Sequence, residues 1–136
     1  MNRTAWIRTA FRVLMALFYF GAGVLHVKAP SGFVAITPDW VPFPHQVVLF
    51  TGIAEVAGAI GLCIPRFQRA AGVGLALYAL CVWPANFNHA LNDIIIGGQD
   101  LGWAYHGPRL AFQPVLIWLA LWVGNVTDWP FAKRVD

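Results

Sequence analysis

Four long apolar stretches alternate with short polar or proline-containing segments along the chain. The stretches cover residues 7–27, 46–64, 70–90 and 108–126. A bilayer core about 30 Å thick needs roughly 20 mostly apolar residues per helix, and each stretch comes close to that length. The pattern predicts an all-α integral membrane protein, a four-helix bundle of four transmembrane helices.

Prolines mark the predicted helix ends and two positions inside the helices. Pro65 follows the second stretch, and Pro108 falls in the expected first turn of the fourth. Pro84 and Pro114 lie inside the third and fourth stretches. An interior proline frees a backbone carbonyl, which in a membrane needs a polar side chain or a neighbouring helix as its partner. We therefore expect a local kink at each.

The composition agrees with a single membrane domain that covers residues 1–136. Hydrophobic residues make up 59% of the chain and charged residues 11%, and the mean hydropathy is +0.62, which is too apolar for a soluble domain. The net charge of +3 comes from scattered basic residues that form no stripe, so nucleic-acid binding is not predicted. Cys63 and Cys81 stand alone in apolar segments and are interpreted as core residues.

The basic residues predict the orientation of the bundle, because short cytoplasmic loops retain Lys and Arg. Most of them fall on one side of the four spans. The residues on that side are Arg3, Arg8, Arg12, Arg66, Arg69, Lys133 and Arg134. Lys28 and Arg109 fall on the other side. Both termini are therefore expected to be cytoplasmic.

The N-terminal segment permits a second interpretation. Its basic start, apolar run and small residues at positions 21–23 also occur in signal peptides. Residues 24–26 extend the apolar run to spanning length, so we interpret the segment as a transmembrane helix.

Each predicted helix places polar residues on one interior face of the bundle. Glu55 shares its face with small residues that let helices approach closely. An ionisable group at mid-membrane costs about 2.5–3.5 kcal/mol, so Glu55 is a candidate functional residue; a carboxyl that only ties helices together is the alternative. The candidate ligand-binding residues are Glu55, His26, Asn86, His89, Arg109, Gln113 and Trp40. We expect a pocket open towards the outer side, because His26, His89 and Arg109 fall at outer helix ends.

The four histidines raise the possibility of a metal site, since imidazole binds zinc, copper and iron. No two of them are spaced i, i+4 on one helix, and no metal site is predicted. His45 and His106 fall in predicted turns and are interpreted as having no part in a site. For His26 and His89, a simple role at the membrane interface remains the alternative.

Several segments in the same order resemble the DoxX-like family of small bacterial membrane proteins. They are residues 21–26 (GAGVLH), 38–42 (PDWVP), 52–58 (GIAEVAG), 65–66 (PR) and 84–86 (PAN). The resemblance covers most of the chain. It implies a four-helix bundle in the bacterial cytoplasmic (inner) membrane, and the family takes its name from a subunit of a quinone-linked sulfur-oxidising complex.

Three functions are compatible with these residues. The first is a multi-pass inner-membrane protein that binds a lipophilic small molecule, for which a quinone is the candidate. Such a protein would be an accessory component of quinone-linked redox metabolism and would act beside another membrane or redox protein. The second is a cofactor-free enzyme, an isomerase or hydrolase of a lipophilic substrate, with Glu55 as acid or base and His26 or Asn86 as its orienting partner. The third is a structural membrane partner. The sequence leaves homo-oligomerisation open.

Overall fold

The computed structural model describes residues 3–131, and within this range the chain is all-helical, without a strand. Four long helices and one short helix follow each other along the chain. They are α1 (Arg3–Lys28), α2 (Ser31–Ile36), α3 (Pro44–Cys63), α4 (Gln68–Leu91) and α5 (Gly102–Val123). Lys133 and Arg134, which were assigned to the cytoplasmic side, lie outside the described residues.

The four long helices pack as two pairs. α1 packs against α3, α4 packs against α5, and the two pairs meet along α3 and α4. α1 and α5 touch each other much less, and α2 lies against α3 and α4. We call the end where α1 and α4 begin and α3 and α5 end the basic end, because it carries Arg3, Arg8, Arg66 and Arg69. We call the opposite end the loop end.

Three of the described helices, α1, α3 and α4, are long and apolar enough to cross a membrane. The sequence predicted four such helices. α5 has the required length, but it is interrupted by the polar residues His106, Arg109 and Gln113.

Two parts of the fold differ from the sequence prediction. The predicted start of the fourth helix at Pro108 is wrong: α5 begins at Gly102, which has a positive φ of 62°, and both Pro108 and Pro114 lie inside the helix. The helix also ends at Val123 and not at residue 126, and Asn125 has a φ of 58°, in the left-handed region. The other difference is α2, a six-residue helix in a connection where no helix was predicted.

Pairs of glycines set the closest helix crossings. A Cβ atom on Gly52 would lie 2.5 Å from His26 Cβ and 2.9 Å from the Gly23 carbonyl oxygen. A Cβ atom on Gly72 would lie 2.8 Å from the Ala120 carbonyl oxygen and 2.8 Å from Gly124 Cα. Larger residues would not fit at either crossing, so α1 approaches α3, and α4 approaches α5, backbone to backbone.

At the basic end, polar contacts join α1 to the segment that follows α5. Arg8 Nη1 donates to Asn125 Oδ1 at 2.9 Å, and its Nη2 forms an ion pair with Asp128. Arg12 Nε donates to the Val123 carbonyl oxygen at 2.7 Å. We call these contacts the arginine clasp.

The outer surface of the bundle is strongly apolar. Leu17, Phe50 and Leu77 are each more than half exposed, and similar side chains cover the outward faces of all four long helices. The buried core lies nearer the basic end, around Leu62, Leu75 and Val123. Towards the loop end, the interior opens into a cavity.

Candidate functional site

The interior cavity has a volume of about 460 Å³ and is bounded by residues of all five helices. Most of its wall is apolar, with side chains such as Phe18, Val48 and Leu116. Seven of its polar residues fall in two groups. The glutamate cluster consists of His26, Glu55, Tyr19 and Tyr78, and the amide cluster consists of Asn86, Arg109 and Gln113. Thr37 and Thr51 also line the wall, and each hydroxyl donates to a backbone carbonyl oxygen of its own segment.

His26 and Glu55 form a buried pair between α1 and α3. They are 8% and 3% exposed, and His26 Nδ1 lies 2.9 Å from Glu55 Oε2. Nδ1 also lies 2.8 Å from the Ala22 carbonyl oxygen. A carbonyl oxygen can only accept, so the contact with Ala22 is a hydrogen bond in the tautomer that carries a proton on Nδ1. Glu55 Oε2 lies close to the ring and has no well-directed hydrogen-bond donor among the described residues.

The glycine crossing brings this pair together. Gly23 and Gly52 lie one turn from His26 and Glu55, and their backbone contact places both side chains in the same gap. His26 lies in the last turn of α1, yet it contacts the middle of α3, because α3 continues for eight residues, or about 12 Å, from the crossing to Pro44. His26 thus lies at a helix end, as the sequence predicted, and also at the depth of Glu55.

The short helix α2 covers the histidine. The Phe33 ring stacks on the His26 ring, with centroids 3.7 Å apart and an angle of 20° between the planes. Ile36, from the same helix, is buried against the cavity. The α1–α3 connection therefore closes one side of the site.

Two tyrosines complete the surroundings of Glu55. The Tyr78 hydroxyl lies within hydrogen-bonding reach of the Glu55 carboxyl group. The Tyr19 ring packs edge-on against the Tyr78 ring, with centroids 5.9 Å apart. Glu55 therefore has an imidazole on one side and a phenol on the other, inside an otherwise apolar wall.

The amide cluster joins α4 to α5. Asn86 Nδ2 donates to Gln113 Oε1 at 3.3 Å, and Gln113 Nε2 donates to the Ala79 carbonyl oxygen at 2.6 Å. Ala79 lies five residues before Pro84 and next to Leu80, whose carbonyl oxygen loses its helical N–H partner to the proline. Gln113 thus ties the backbone of α4 near the proline to α5.

Arg109 connects the cavity to two histidines behind it. Arg109 Nη1 lies 3.0 Å from His89 Nδ1, and the His89 and His106 rings are 4.5 Å apart between centroids. Both histidines are almost fully buried, and neither is among the residues that line the cavity. The placement of His106 in a turn was wrong: it is a helical residue of α5, 2% exposed.

The structure brings six of the seven predicted ligand-binding residues to one cavity. They are Glu55, His26, Asn86, Arg109, Gln113 and Trp40. Trp40 belongs to the segment after α2 and is 73% exposed. His89 does not line the cavity and contacts Arg109, which does. Among the described residues, no group of three or more His, Cys, Asp or Glu side chains is arranged to hold a metal ion.

Sequence reasoning missed Tyr19 and Tyr78 as members of the site. Tyr19 lies seven residues, or about two helical turns, before His26, and this spacing on one face of α1 could have drawn attention to it. Tyr78 lies in an apolar run with no polar neighbour one turn away, so nothing in its own segment indicates its partner on α3.

The profile of a family described as a domain of unknown function, DUF8561, matches residues 15–124, and the chain belongs to this family. No curated protein and no solved structure matches the chain significantly. The matched range contains all the residues of both clusters.

Proposed function

We propose that this member of the DUF8561 family is a multi-pass membrane protein that binds a lipophilic small molecule in the interior cavity, as an accessory component of quinone-linked redox metabolism. The observation that carries the proposal is a cavity of about 460 Å³ whose wall is mostly apolar and has polar residues in two groups. Sites for small ligands commonly have this composition, with a few polar groups that fix the orientation of an apolar molecule.

The membrane part of the proposal rests on the outer surface. Soluble monomers rarely expose apolar patches larger than a few hundred Å², whereas large apolar side chains cover the outside of all four long helices here. We include α5 as a fourth spanning helix, because its His106 and Gln113 are buried and Arg109 is half-buried. Its polar side chains thus face the bundle and not the lipid.

The orientation follows from the basic end. The described arginines at this end belong to the start of α1 and to the α3–α4 connection. Short loops rich in Arg and Lys stay in the cytoplasm, and this rule supports a cytoplasmic basic end with both termini on the same side. The sequence resemblance to the DoxX-like family supports the bacterial inner membrane as the location.

The chemistry of a quinone matches the side chains of the glutamate cluster and the amide cluster. Its carbonyl oxygens accept hydrogen bonds, and Arg109 and Asn86 are donors on the cavity wall. The His26–Glu55 pair lies elsewhere on the same wall and can hold or release a proton when the ligand is reduced or oxidised. Electron transfer would then involve a partner redox protein in the membrane.

The direct test is purification in a mild detergent, extraction of the retained small molecules and their identification by mass spectrometry. A quinone retained in an equimolar amount supports the proposal. A short-chain benzoquinone is then titrated against the protein, and Arg109→Gln is compared with Arg69→Gln, an exposed arginine at the basic end. Loss of a hydrogen bond from a charged donor costs about 1.5–3 kcal/mol, which predicts roughly 10- to 150-fold weaker binding for Arg109→Gln. Binding to Arg69→Gln should be unchanged. A protein that retains no quinone and binds none contradicts the proposal.

One observation favours a second function, that of a cofactor-free isomerase or hydrolase of a lipophilic substrate. Glu55 Oε2 is buried and has no well-directed donor among the described residues, and an imidazole lies beside it. A carboxyl group in this position can act as an acid or base towards a bound substrate. In that case Glu55→Gln abolishes turnover and leaves substrate binding in place. A variant that turns over normally rules out this role, and a variant that is also unchanged in ligand binding favours the third possibility, a structural membrane partner.

A further inference from the structure

A second, smaller pocket lies on the outside of the bundle, along the seam between α1 and α5. Its volume is about 190 Å³, and its lining residues are all apolar. On α1 it runs from Phe11 to Phe18, seven residues or about 10 Å along the helix axis. The buried side chain of Met15 lies between them, and Leu119 contributes from α5. We call this pocket the seam groove.

The seam groove adjoins the interior cavity. Phe18, Phe112 and Leu116 line both. Phe18 and Phe112 are each more than half exposed, so this junction faces the surroundings of the bundle. A molecule that reaches from the His26–Glu55 pair to the seam groove would pass beside these shared side chains.

The helix packing explains why the seam is open at this place. α1 and α5 touch each other much less than the two tightly packed pairs do. The arginine clasp holds the two helices together at the basic end. Above the clasp no glycine crossing draws α1 and α5 together, because the closest glycine contacts of these helices are with α3 and α4.

We propose that the seam groove holds the apolar chain of the same molecule whose polar head lies in the cavity. The ligand is then an amphiphile with a hydrogen-bonding head and one hydrocarbon chain, and it enters sideways from the bilayer between Phe18 and Phe112. This inference rests on the proposed function and adds the class of ligand and its route of entry. From His26 to Phe11 the combined site spans fifteen residues of α1, or about 22 Å.

The direction of the chain agrees with the position of the polar residues. The two clusters lie towards the loop end, and the seam groove lies between the cavity and the basic end. An amphiphile from the leaflet at the loop end has its head at that side and its chain pointing to the middle of the bilayer. It would thus enter the site without turning over.

Affinity alone is a poor test of this inference, because a hydrocarbon chain that leaves lipid for an apolar groove gains little from the hydrophobic effect. The experiment uses position-specific labelling. The probe is a benzoquinone with an alkyl chain that ends in a photoreactive diazirine, and it is added to the full chain in lipid nanodiscs. After illumination, the labelled residues are identified by peptide mass spectrometry. A benzoquinone without a chain serves as the competitor.

The inference predicts labelling of Phe11, Leu14 or Leu119 that is lost when the competitor is added. If labelling of the groove survives the competitor, the groove holds ordinary lipid chains and the inference is wrong. If the head binds but the label falls on other surfaces, the inference is also wrong, and the proposed function stands. If neither probe nor competitor binds, the proposed function fails and the inference fails with it.

A pair of matched variants checks the position of the chain. Leu14 lines the seam groove, and Leu17 lines neither pocket, although both are largely exposed leucines of α1. Leu14→Trp fills part of the groove and is expected to abolish labelling of Leu119, whereas Leu17→Trp is expected to leave it unchanged. Equal labelling in the two variants would overturn the inference.

Discussion

Replacement of Gly52 by alanine tests the helix crossing on which the site depends. The new methyl carbon would lie 2.5 Å from His26 Cβ and 2.9 Å from the Gly23 carbonyl oxygen. Ordinary contact begins at 3.4 Å, so α1 and α3 would have to separate by about 0.9 Å at this point. His26 Cβ is the first atom of its side chain, and no change of rotamer can move it away. The backbone itself must shift.

The size of the effect follows from two opposing contributions. Overpacking of a close contact costs about 1–3 kcal/mol. Alanine in place of glycine favours the helix by up to about 1 kcal/mol, because glycine loses more backbone entropy. Gly21→Ala is the matched control, since a Cβ atom at Gly21 has no neighbour within 4 Å and gains only the second contribution. The difference between the two variants therefore isolates the cost of the crossing.

Thermal unfolding in detergent, followed by tryptophan fluorescence, measures this difference. Gly52→Ala is expected to melt below Gly21→Ala, at roughly 4 °C per kcal/mol for a chain of this size. Ligand binding should also weaken in Gly52→Ala alone, because separation of the helices moves His26 away from Glu55. Equal melting temperatures for the two variants would show that α1 and α3 do not meet at these glycines.

Three further predictions concern the polar residues and the topology. Glu55→Gln keeps the volume of the side chain and replaces an accepting oxygen by a donating amide, so the affinity for the reduced ligand, a quinol whose hydroxyls donate, should fall about tenfold or more. Titration calorimetry measures this affinity, and His45→Ala, an exposed histidine outside the cavity, should leave it unchanged. Gln113→Leu removes the side-chain donor to the Ala79 carbonyl, which should lower the free energy of unfolding in denaturant by about 1–3 kcal/mol. Gln46→Leu, at an exposed position, should lower it by less than about 0.5 kcal/mol. Similar losses of stability in the two variants would contradict the hydrogen bond from Gln113 to Ala79. A C-terminal green fluorescent protein should fluoresce and a C-terminal alkaline phosphatase should be inactive, and the reverse result would contradict cytoplasmic termini.

The sequence predicted three of the long helices closely because their hydropathy is uniform. The predicted spans at residues 7–27, 46–64 and 70–90 differ from α1, α3 and α4 by four residues or fewer at each end. The start of α5 was placed six residues late, because Pro108 resembles the first turn of a helix and because the preceding turns contain polar residues. α2 was missed since the seven residues between Pro30 and Pro38 are too few to show a helical periodicity.

Residues of the candidate site could be predicted where burial of that residue type in an apolar segment costs free energy. Glu55, Asn86 and Gln113 could be identified in this way, and all three line the cavity. Which side chains meet could not be read from the sequence, because it depends on how far each helix extends beyond its crossing. His26 therefore came to lie beside Glu55, and His89 came to lie behind Arg109.

The pairing of the long helices has a consequence for the entry of a ligand. α1 packs with α3, α4 packs with α5, and the two pairs meet along α3 and α4. The arginine clasp joins α1 to the end of α5 at the basic end, so a wider α1–α5 seam would require the two pairs to separate towards the loop end. His26 and Glu55 belong to the same pair of helices, and such a separation would leave the distance between them unchanged. The opening that admits a ligand would thus be independent of the geometry that binds it.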